Sequence, residues 1–338
     1  MVVVLKPGVS KGQIKELSEH LATFGVKPEV IYGAKCAVIG LVGDTSEIDE
    51  RQVAVLPVVD KVLQVEEPFK KANRKFHPDD TVIKSTYNQT IGGKKIAIIA
   101  GPCSVESREQ LFDTARGVKA AGGGFLRGGV FKPRTSPYAF TGLKMDGLEL
   151  LKEAREEFGM PIVTELMDAR HLDAFERDVD VIQIGARNMY NYDLLKEVGG
   201  TSKPVLLKRG FSTPVEEFLL SAEHIMAAGN PNVILCERGM RTVETFTRNT
   251  LDLSVIPAIK KLSHLPVVVD PSHATGWSWM VPSMSKAAIA AGADGLIIEV
   301  HNNPATALCD GAQSLDVKQF TDLMGTLKEY IRIEGREL

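Results

Sequence analysis

No apolar run in this 338-residue chain approaches the roughly 18 residues of a membrane-spanning helix. Basic residues are not in excess: 40 Lys and Arg stand against 43 Asp and Glu, for a formal charge of −3. That balance argues against a nucleic-acid or anionic-membrane partner, so any local cluster of cations needs a local reason. Cysteine is scarce, and four (Cys36, Cys103, Cys236, Cys309) in so long a chain make no disulfide framework. They predict a reducing, cytoplasmic setting. The first five residues are apolar but lack the basic start and small-residue cleavage site of a signal peptide. No Gly-x-Gly-x-x-Gly or Walker-type phosphate loop occurs, which argues against the common nucleotide-binding folds. The chain has 44% hydrophobic and 25% charged residues, an ordinary globular balance. Its length suits a barrel of about 250 residues plus one small module.

The module comes first. Residues 2–5 read as a strand. Ser10 is placed to cap a helix carrying Ile14, Leu17, Leu21 and Phe24 at helical spacing, and Gly25 ends it. Two β-like runs, 27–32 and 35–42, flank a hairpin-sized gap at Gly33-Ala34. Ser46 then caps a short helix over 47–54, and 58–65 is a last strand. The βαββαβ order predicts a ferredoxin-like α+β domain over residues 1–65. Residues 66–93 read as a linker with basic residues (Lys70, Lys71, Arg74, Lys75), followed by a strand or two closing a barrel bottom.

From residue 94 to 338, eight apolar runs of strand length follow: 95–100, 124–128, 161–166, 181–185, 204–208, 233–236, 266–270 and 295–300. Helical segments separate them at 107–121, 148–158, 171–177, 192–198, 215–228, 246–262 and 283–291, with 315–331 closing the ring. Continuously apolar runs such as Val267–Val269 suit strands covered on both faces. Eight such units predict a closed (β/α)8 TIM barrel.

In such a barrel the active site lies at the C-terminal ends of the strands. Here the runs end near Cys103, Arg127, Glu165, Arg187, Lys208, Arg238, His273 and Glu299. After Arg127 comes Lys132-Pro133-Arg134-Thr135-Ser136-Pro137, where two prolines fix φ and hold two cations and two hydroxyls in fixed relation, as suits a phosphate monoester. With Arg187, Lys208, Arg209 and Arg238 added, like charges crowd one mouth and lose solvation, a cost that a polyanionic substrate removes. Glu165 and Glu237 are the counter-charges available otherwise. Cys103, His273, Glu299 and Asp310 fall at strands one, seven and eight, which are neighbours in a closed barrel. One thiolate, one imidazole and two carboxylates suit a divalent transition metal rather than Ca²⁺ or Mg²⁺. His301 and Cys309 are alternate ligands, and Cys36 and Cys236 read as buried small hydrophobes.

Several of these motifs in order resemble one family: Gly101-Pro102-Cys103-Ser104, Lys132-Pro133-Arg134-Thr135, Gly185-Ala186-Arg187, Leu207-Lys208-Arg209-Gly210, Asp270-Pro271-Ser272-His273 and Asp310-Gly311. They are similar to the 3-deoxy-D-arabino-heptulosonate 7-phosphate (DAHP) synthases of the shorter class I type, from about residue 94 onward. The resemblance implies a transferase that condenses phosphoenolpyruvate with erythrose 4-phosphate, releases phosphate and opens the shikimate route to aromatic amino acids. It implies a divalent cation (Mn, Fe, Zn, Co or similar) on Cys103, His273, Glu299 and Asp310. Phosphoenolpyruvate would lie among Arg127, Lys132, Arg187, Lys208, Arg238 and the Ala186 backbone, with the phosphate of erythrose 4-phosphate on Arg134, Thr135 and Ser136. Lys132, Cys103 and His273 are the expected catalytic residues. Lys132, its pKa expected to be depressed by neighbouring cations, would protonate the aldehyde oxygen, and Glu165 would help the attacking water. The N-terminal module would bind Tyr or Phe as a feedback effector at a subunit contact in a homotetramer. The sister 3-deoxy-D-manno-octulosonate 8-phosphate synthases, which take arabinose 5-phosphate, carry Lys-Ala-Asn-Arg-Ser in place of Lys132-Pro133-Arg134-Thr135-Ser136. A non-catalytic sensor of a phosphorylated metabolite would need neither the metal set nor Lys132.

Overall fold

Ser10 caps the first helix, as its place before Ile14, Leu17 and Leu21 predicts, in the computed structural model, which describes every residue except 34, 35, 44, 46, 47, 64–66, 134, 135 and 137. Its Oγ accepts the Gln13 N–H at 3.3 Å, and the Gln13 side-chain oxygen accepts the Ser10 N–H at 3.0 Å, a reciprocal cap. This helix, α1 (Lys11–Ala22), belongs to a unit made of β1 (Val2–Leu5), β2 (Lys27–Tyr32), β3 (Ala37–Val42), α2 (Glu50–Ala54) and β4 (Val59–Leu63). The four strands form an antiparallel sheet in the order β2-β3-β1-β4, the ferredoxin-like arrangement. Ser46, expected to cap the second helix, lies outside the described residues. That helix starts later than expected, at Glu50, because Asp49 supplies the cap by accepting the Arg51 N–H at 3.0 Å.

One sheet face carries Val3, Leu5, Ile39 and Leu41 against Ile14, Leu17 and Leu21 of α1. The other carries Val2 and Val38 against Phe76. Gly40 makes that contact possible, since a Cβ there would sit 2.3 Å from the Phe76 ring. Residues 67–80 therefore fold with this unit, which comprises Met1–Asp80 and Lys261–His264. The basic stretch expected to be a solvated connector has buried anchors at Phe69, Ala72 and Asn73, and Lys71 pairs with Glu29 at 3.2 Å.

The second unit, Thr81–Lys260 and Leu265–Leu338, is the barrel. A two-stranded sheet, β5 (Ile83–Lys84) with β6 (Thr90–Ile91), precedes it. The barrel strands are β7 (Ala97–Gly101), β8 (Phe125–Arg127), β9 (Ile162–Glu165), β10 (Val181–Ile184), β11 (Val205–Lys208), β12 (Val233–Glu237), β13 (Val267–Val269) and β14 (Gly295–Glu299). Each pairs in parallel with the next, and β14 closes on β7. Ile83 and Ile91 of the preceding sheet join Ile99, Phe125, Val181 and Ile297 in the barrel core, so that sheet plugs it. Cys236 lies in the same core, while Cys36 is only half-buried, against expectation.

Helices α3 (Arg108–Ala121), α4 (Met145–Phe158), α5 (Leu172–Asp178), α6 (Tyr192–Gly199), α7 (Val215–Ala227), α8 (Val255–Leu262), α9 (Pro271–Thr275), α10 (Val281–Ala290) and α11 (Val317–Ile333) follow the strands. The helix expected over 246–262 forms only from Val255. The backbone before it is engaged elsewhere: Arg248 N–H donates to Thr275 O at 2.9 Å, Asn249 N–H to Ala274 O at 2.7 Å, and Asp252 N–H to a Glu237 carboxylate oxygen at 3.3 Å. These partners outbid local helix bonds and turn the segment into a loop over the mouth. Among the described residues no helix is long and apolar enough to cross a membrane.

His264 is buried in the first unit, where its Nε2–H donates to Lys71 O at 2.8 Å and its ring stacks on His77 at 4.2 Å between centroids. Burial, aided by the nearby His77 and Arg74, lowers its pKa from 6.5 to about 4. The folded state therefore resists a proton that the unfolded chain accepts. Stability from this group is whole above pH 6.5 and is lost as pH falls toward 4, by up to about 3 kcal/mol. Urea unfolding of the wild type and of His264→Gln at pH 7.5 and pH 5 should show a smaller acid loss in the variant. Equal losses in both would remove His264 as the cause.

Candidate functional site

The end of β7 is a backbone device. Gly101 has φ of 151°, and a Cβ there would lie 2.1 Å from Arg127 O, so only glycine lets the chain turn past β8 and carry Cys103 into the mouth. After β13, Asp270 caps α9 by accepting the His273 N–H at 2.8 Å, and its other oxygen accepts the His273 Nδ1–H at 2.7 Å. Glu299 ends β14, where the Gln313 amide donates to its Oε2 at 2.8 Å. Asp310 follows in a left-handed conformation with φ of 50°. One ligand atom from each of Cys103, His273, Glu299 and Asp310 lies within 4.8 Å of all the others. His273 Nε2 is 3.3 Å from Glu299 Oε1 and 4.0 Å from Asp310 Oδ2, and Cys103 Sγ is 3.4 Å from Asp310 Oδ2. The alternates fall outside this group: His301 pairs with Glu106 at 3.3 Å, and Cys309 lies buried in hydrogen-bond reach of Cys103.

The donor set fits a divalent transition metal. Burial lowers the pKa of His273, and its Nδ1–H is given to Asp270, so Nε2 offers a lone pair. Burial opposes the charges on Glu299 and Asp310. It is outweighed by His273 and Arg127 at Glu299, and by Arg248 and His273 at Asp310, so both carboxyls sit below their ordinary range. An imidazole lone pair, two carboxylates and a sulfur converging this closely are the donors such an ion takes.

Beside this group is a cavity of about 350 Å³ lined by Arg127, Lys132, Ser136, Ala186, Arg187, Lys208, Arg238 and Arg248. Five expected cations (Arg127, Lys132, Arg187, Lys208, Arg238) thus meet there. Arg209 does not line it, and is buried on Glu237 at 2.9 Å and Asp252 at 3.0 Å. The expectation that these charges lack protein partners holds only in part. Arg127 pairs with Glu299 at 2.6 Å and Lys208 with Asp270 at 2.5 Å. Arg127 nevertheless keeps a buried Nε with no hydrogen-bond partner among the described residues. Arg134 and Thr135 lie outside the described residues. Lys132 Nζ is 3.0 Å from Cys103 Sγ and 3.1 Å from Cys103 O. Burial works against its charge, but Cys103, Glu299 and Glu165 outweigh burial and Arg127, so its pKa is raised rather than depressed as expected.

Three residues that sequence reasoning missed also line the cavity: Arg248, Gln183 and Phe211. Arg248 pairs with Asp310 at 3.2 Å. The Gln183 amide donates to Glu165 at 3.3 Å, and Gly185 leaves room for that carboxylate, since a Cβ would sit 2.0 Å from Glu165 Oε1. For Gln183 a signal existed: it is a polar side chain inside the otherwise apolar strand Val181–Ile184.

Residues 80–333 match the DAHP synthetase I family, and residues 1–67 match the DAHP synthase ferredoxin-like domain. The chain is 48% identical over 329 residues, 97% of each chain, to phospho-2-dehydro-3-deoxyheptonate aldolase of Thermotoga maritima. It is 34% identical over 259 residues to 2-dehydro-3-deoxyphosphooctonate aldolase of Caulobacter vibrioides, covering 70% of this chain and 88% of that one. The crystal structure of the Thermotoga maritima aldolase (DAHP synthase) aligns with a TM-score of 0.79 at 47% identity, covering 99% of this chain and 98% of that chain. A truncated Thermotoga maritima DAHP synthase aligns with 80% of this chain and 98% of its own, with a TM-score of 0.74 at 48% identity.

Equilibrium dialysis of the EDTA-stripped protein against Mn²⁺ or Zn²⁺ should find one ion per chain. His273→Ala should abolish that binding, and Asp270→Asn should weaken it about 10–100-fold by loosening the imidazole. Unchanged affinity in His273→Ala would overturn the metal-centre reading.

Proposed function

Since the chain belongs to the DAHP synthetase I family and is an enzyme of the DAHP synthase kind, we propose that its cavity joins phosphoenolpyruvate to erythrose 4-phosphate in a metal-dependent reaction. The observation that carries this reading is the pairing, in one cavity, of a four-ligand cluster with cations whose donors are not all taken by carboxylates. Phosphoenolpyruvate carries a phosphate and a carboxylate, and Arg forks suit both. Arg127, Lys132, Arg187, Lys208 and Arg238, with the Ala186 backbone, are its proposed holders. Arg134, Thr135 and Ser136 are proposed for the acceptor's phosphate.

Cys103, His273, Glu299 and Asp310 would hold the divalent cation, which when bound supplies Lewis acidity. The chain's own residues do the rest. Cations on phosphoenolpyruvate fix its C3 against the aldehyde carbon, and the new C–C bond leaves positive charge at C2. Lys132, kept protonated by its anionic neighbours, gives its proton to the aldehyde oxygen. Water adds at C2 and loses a proton, for which Glu165, steadied by Gln183, is the proposed acceptor. Breaking the C2–O bond then releases phosphate into the same cations. A reducing cytoplasm suits a site that depends on the Cys103 thiol; none of the four cysteines is in a disulfide.

For residues 1–67 we propose aromatic amino-acid control, with Tyr or Phe as effector in a homotetramer. The match to the ferredoxin-like domain of DAHP synthases supports it.

Phosphate release from phosphoenolpyruvate should require metal and erythrose 4-phosphate. Preference for arabinose 5-phosphate would move the chain to the sister reaction, and no release with either acceptor would sink the assignment. Gly185→Ala should lower kcat at least about fivefold while the melting temperature holds, because the flexible Glu165 end moves aside rather than the backbone. Tyr or Phe should inhibit the full chain, and a version starting near Phe76 should turn over without that inhibition. Inhibition that survives truncation would end the regulatory reading.

A further inference from the structure

The cations of the mouth are held in two different ways. Arg127, Lys208 and Arg248 each rest on a carboxylate: Glu299, Asp270 and Asp310. Arg187 makes no side-chain hydrogen bond or ion pair among the described residues, and Arg238 makes one hydrogen bond, to Gly239 O at 3.3 Å. What they share is Phe211. The Arg187 guanidinium carbon is 5.6 Å from the centre of its ring, that of Arg238 is 4.9 Å away, and that of the exposed Arg241 is 4.6 Å away. The backbone that carries the ring is anchored, since Phe211 O accepts the Arg241 N–H at 2.7 Å, tying the loop after β11 to the loop after β12.

We propose that Phe211 is a positioning residue of the anion site, an aromatic platform that holds Arg187 and Arg238 ready for phosphoenolpyruvate while leaving their hydrogen-bond donors unused. The inference rests on the reading of those two arginines as holders of that substrate. A carboxylate clamp occupies the N–H fork and neutralises the charge, and an incoming phosphate has to displace it. A ring attracts the guanidinium through its π face and leaves the edge donors open. It also offsets part of the repulsion among three guanidiniums until the anion arrives. The charge states agree. Arg127 and Arg248, resting on carboxylates, are pushed up, whereas burial lowers the pKa of Arg238 despite the nearby Asp270. Arg238 is therefore a cation in want of an anion.

The test compares Phe211→Leu, Phe211→Met and Phe211→Tyr in the full-length, Mn²⁺-loaded enzyme. The readouts are KM for each substrate, kcat, and phosphoenolpyruvate binding by calorimetry. Loss of the ring in the Leu and Met variants should raise KM and Kd for phosphoenolpyruvate about tenfold. In both, kcat should stay within about twofold and KM for erythrose 4-phosphate should not change. Phe211→Tyr should restore wild-type values. A wild-type KM in the ring-less variants would overturn the platform, as would a Tyr variant as impaired as Leu, which marks a packing role. Arg187→Ala separates the two layers of inference. If it raises KM while Phe211→Leu does not, the platform alone fails. If Arg187→Ala has no effect, the anion-site reading fails and takes the platform with it.

Discussion

The carboxylate of Asp270 is where the two halves of the barrel mouth are tied together. One oxygen takes both Lys208 Nζ at 2.5 Å and His273 Nδ1 at 2.7 Å, and the other caps the short helix that carries His273. It is 1% exposed, and burial alone would favour its neutral form. His273 and Lys208 reverse that and hold it well below the usual carboxylate range. Removing this carboxylate would strand a buried ammonium, at a cost of roughly 3–5 kcal/mol for a broken buried pair. It would also release the tautomer that aims Nε2 at Glu299 and Asp310. The geometry of the four-residue cluster and the placement of one cavity-lining cation thus hang on a single side chain.

Carboxylate clamps explain how a mouth so rich in cations folds before any anion arrives. Each buried pair roughly breaks even against apolar packing, but an unpaired buried guanidinium does not. The barrel satisfies most of its cations internally through acids from neighbouring strand ends: Glu237 for Arg209, Glu299 for Arg127 and Asp270 for Lys208. Among the described residues, unmet electrostatic demand remains at the Nε of Arg127, which has no hydrogen-bond partner, and at the guanidinium of Arg187. On the proposed reading, affinity for an anion would be concentrated at those groups, while the rest of the charge sets the local potential.

Much of this was legible in the sequence, for reasons of periodicity. Strands buried on both faces read as apolar runs, so the eight barrel strands and their C-terminal residues could be placed within a residue or two. The four cluster residues followed because strands one, seven and eight must be neighbours once the ring closes. What failed was local competition that no periodicity records. Residues 246–254 read as helix, yet the N–H groups of Arg248, Asn249 and Asp252 bond Thr275 and Ala274 of α9 and Glu237 of β12, and that concealed Arg248. Arg209 could have been excluded by the period of two, since Lys208 and Arg209 point to opposite sides of the strand end and only one faces the cavity. The short helix after β3 slipped by three residues because Asp49 and Ser46 are equally competent caps on paper.

The proton on Lys132 shows a deeper limit of linear reading. Along the chain its neighbours in sequence are Arg127 and Arg134, which argue for a depressed pKa and a group poised to gain or lose a proton. In space its neighbours are Cys103 after β7, Glu299 ending β14 and Glu165 ending β9, acids delivered from three other strands. Their field exceeds the combined effect of burial and Arg127, so the ammonium form is favoured. Such a group is a resident proton donor and a poor base. In the proposed reaction such a group would give its proton as an oxygen gains negative charge, and the proton of the attacking water would go elsewhere. Among the described residues Glu165, which lines the cavity, makes no ion pair, and its hydrogen-bond partner is the neutral Gln183. In the proposed reaction, a division of labour between a lysine that gives and a carboxylate that takes would be set by which strand ends the closed barrel brings together.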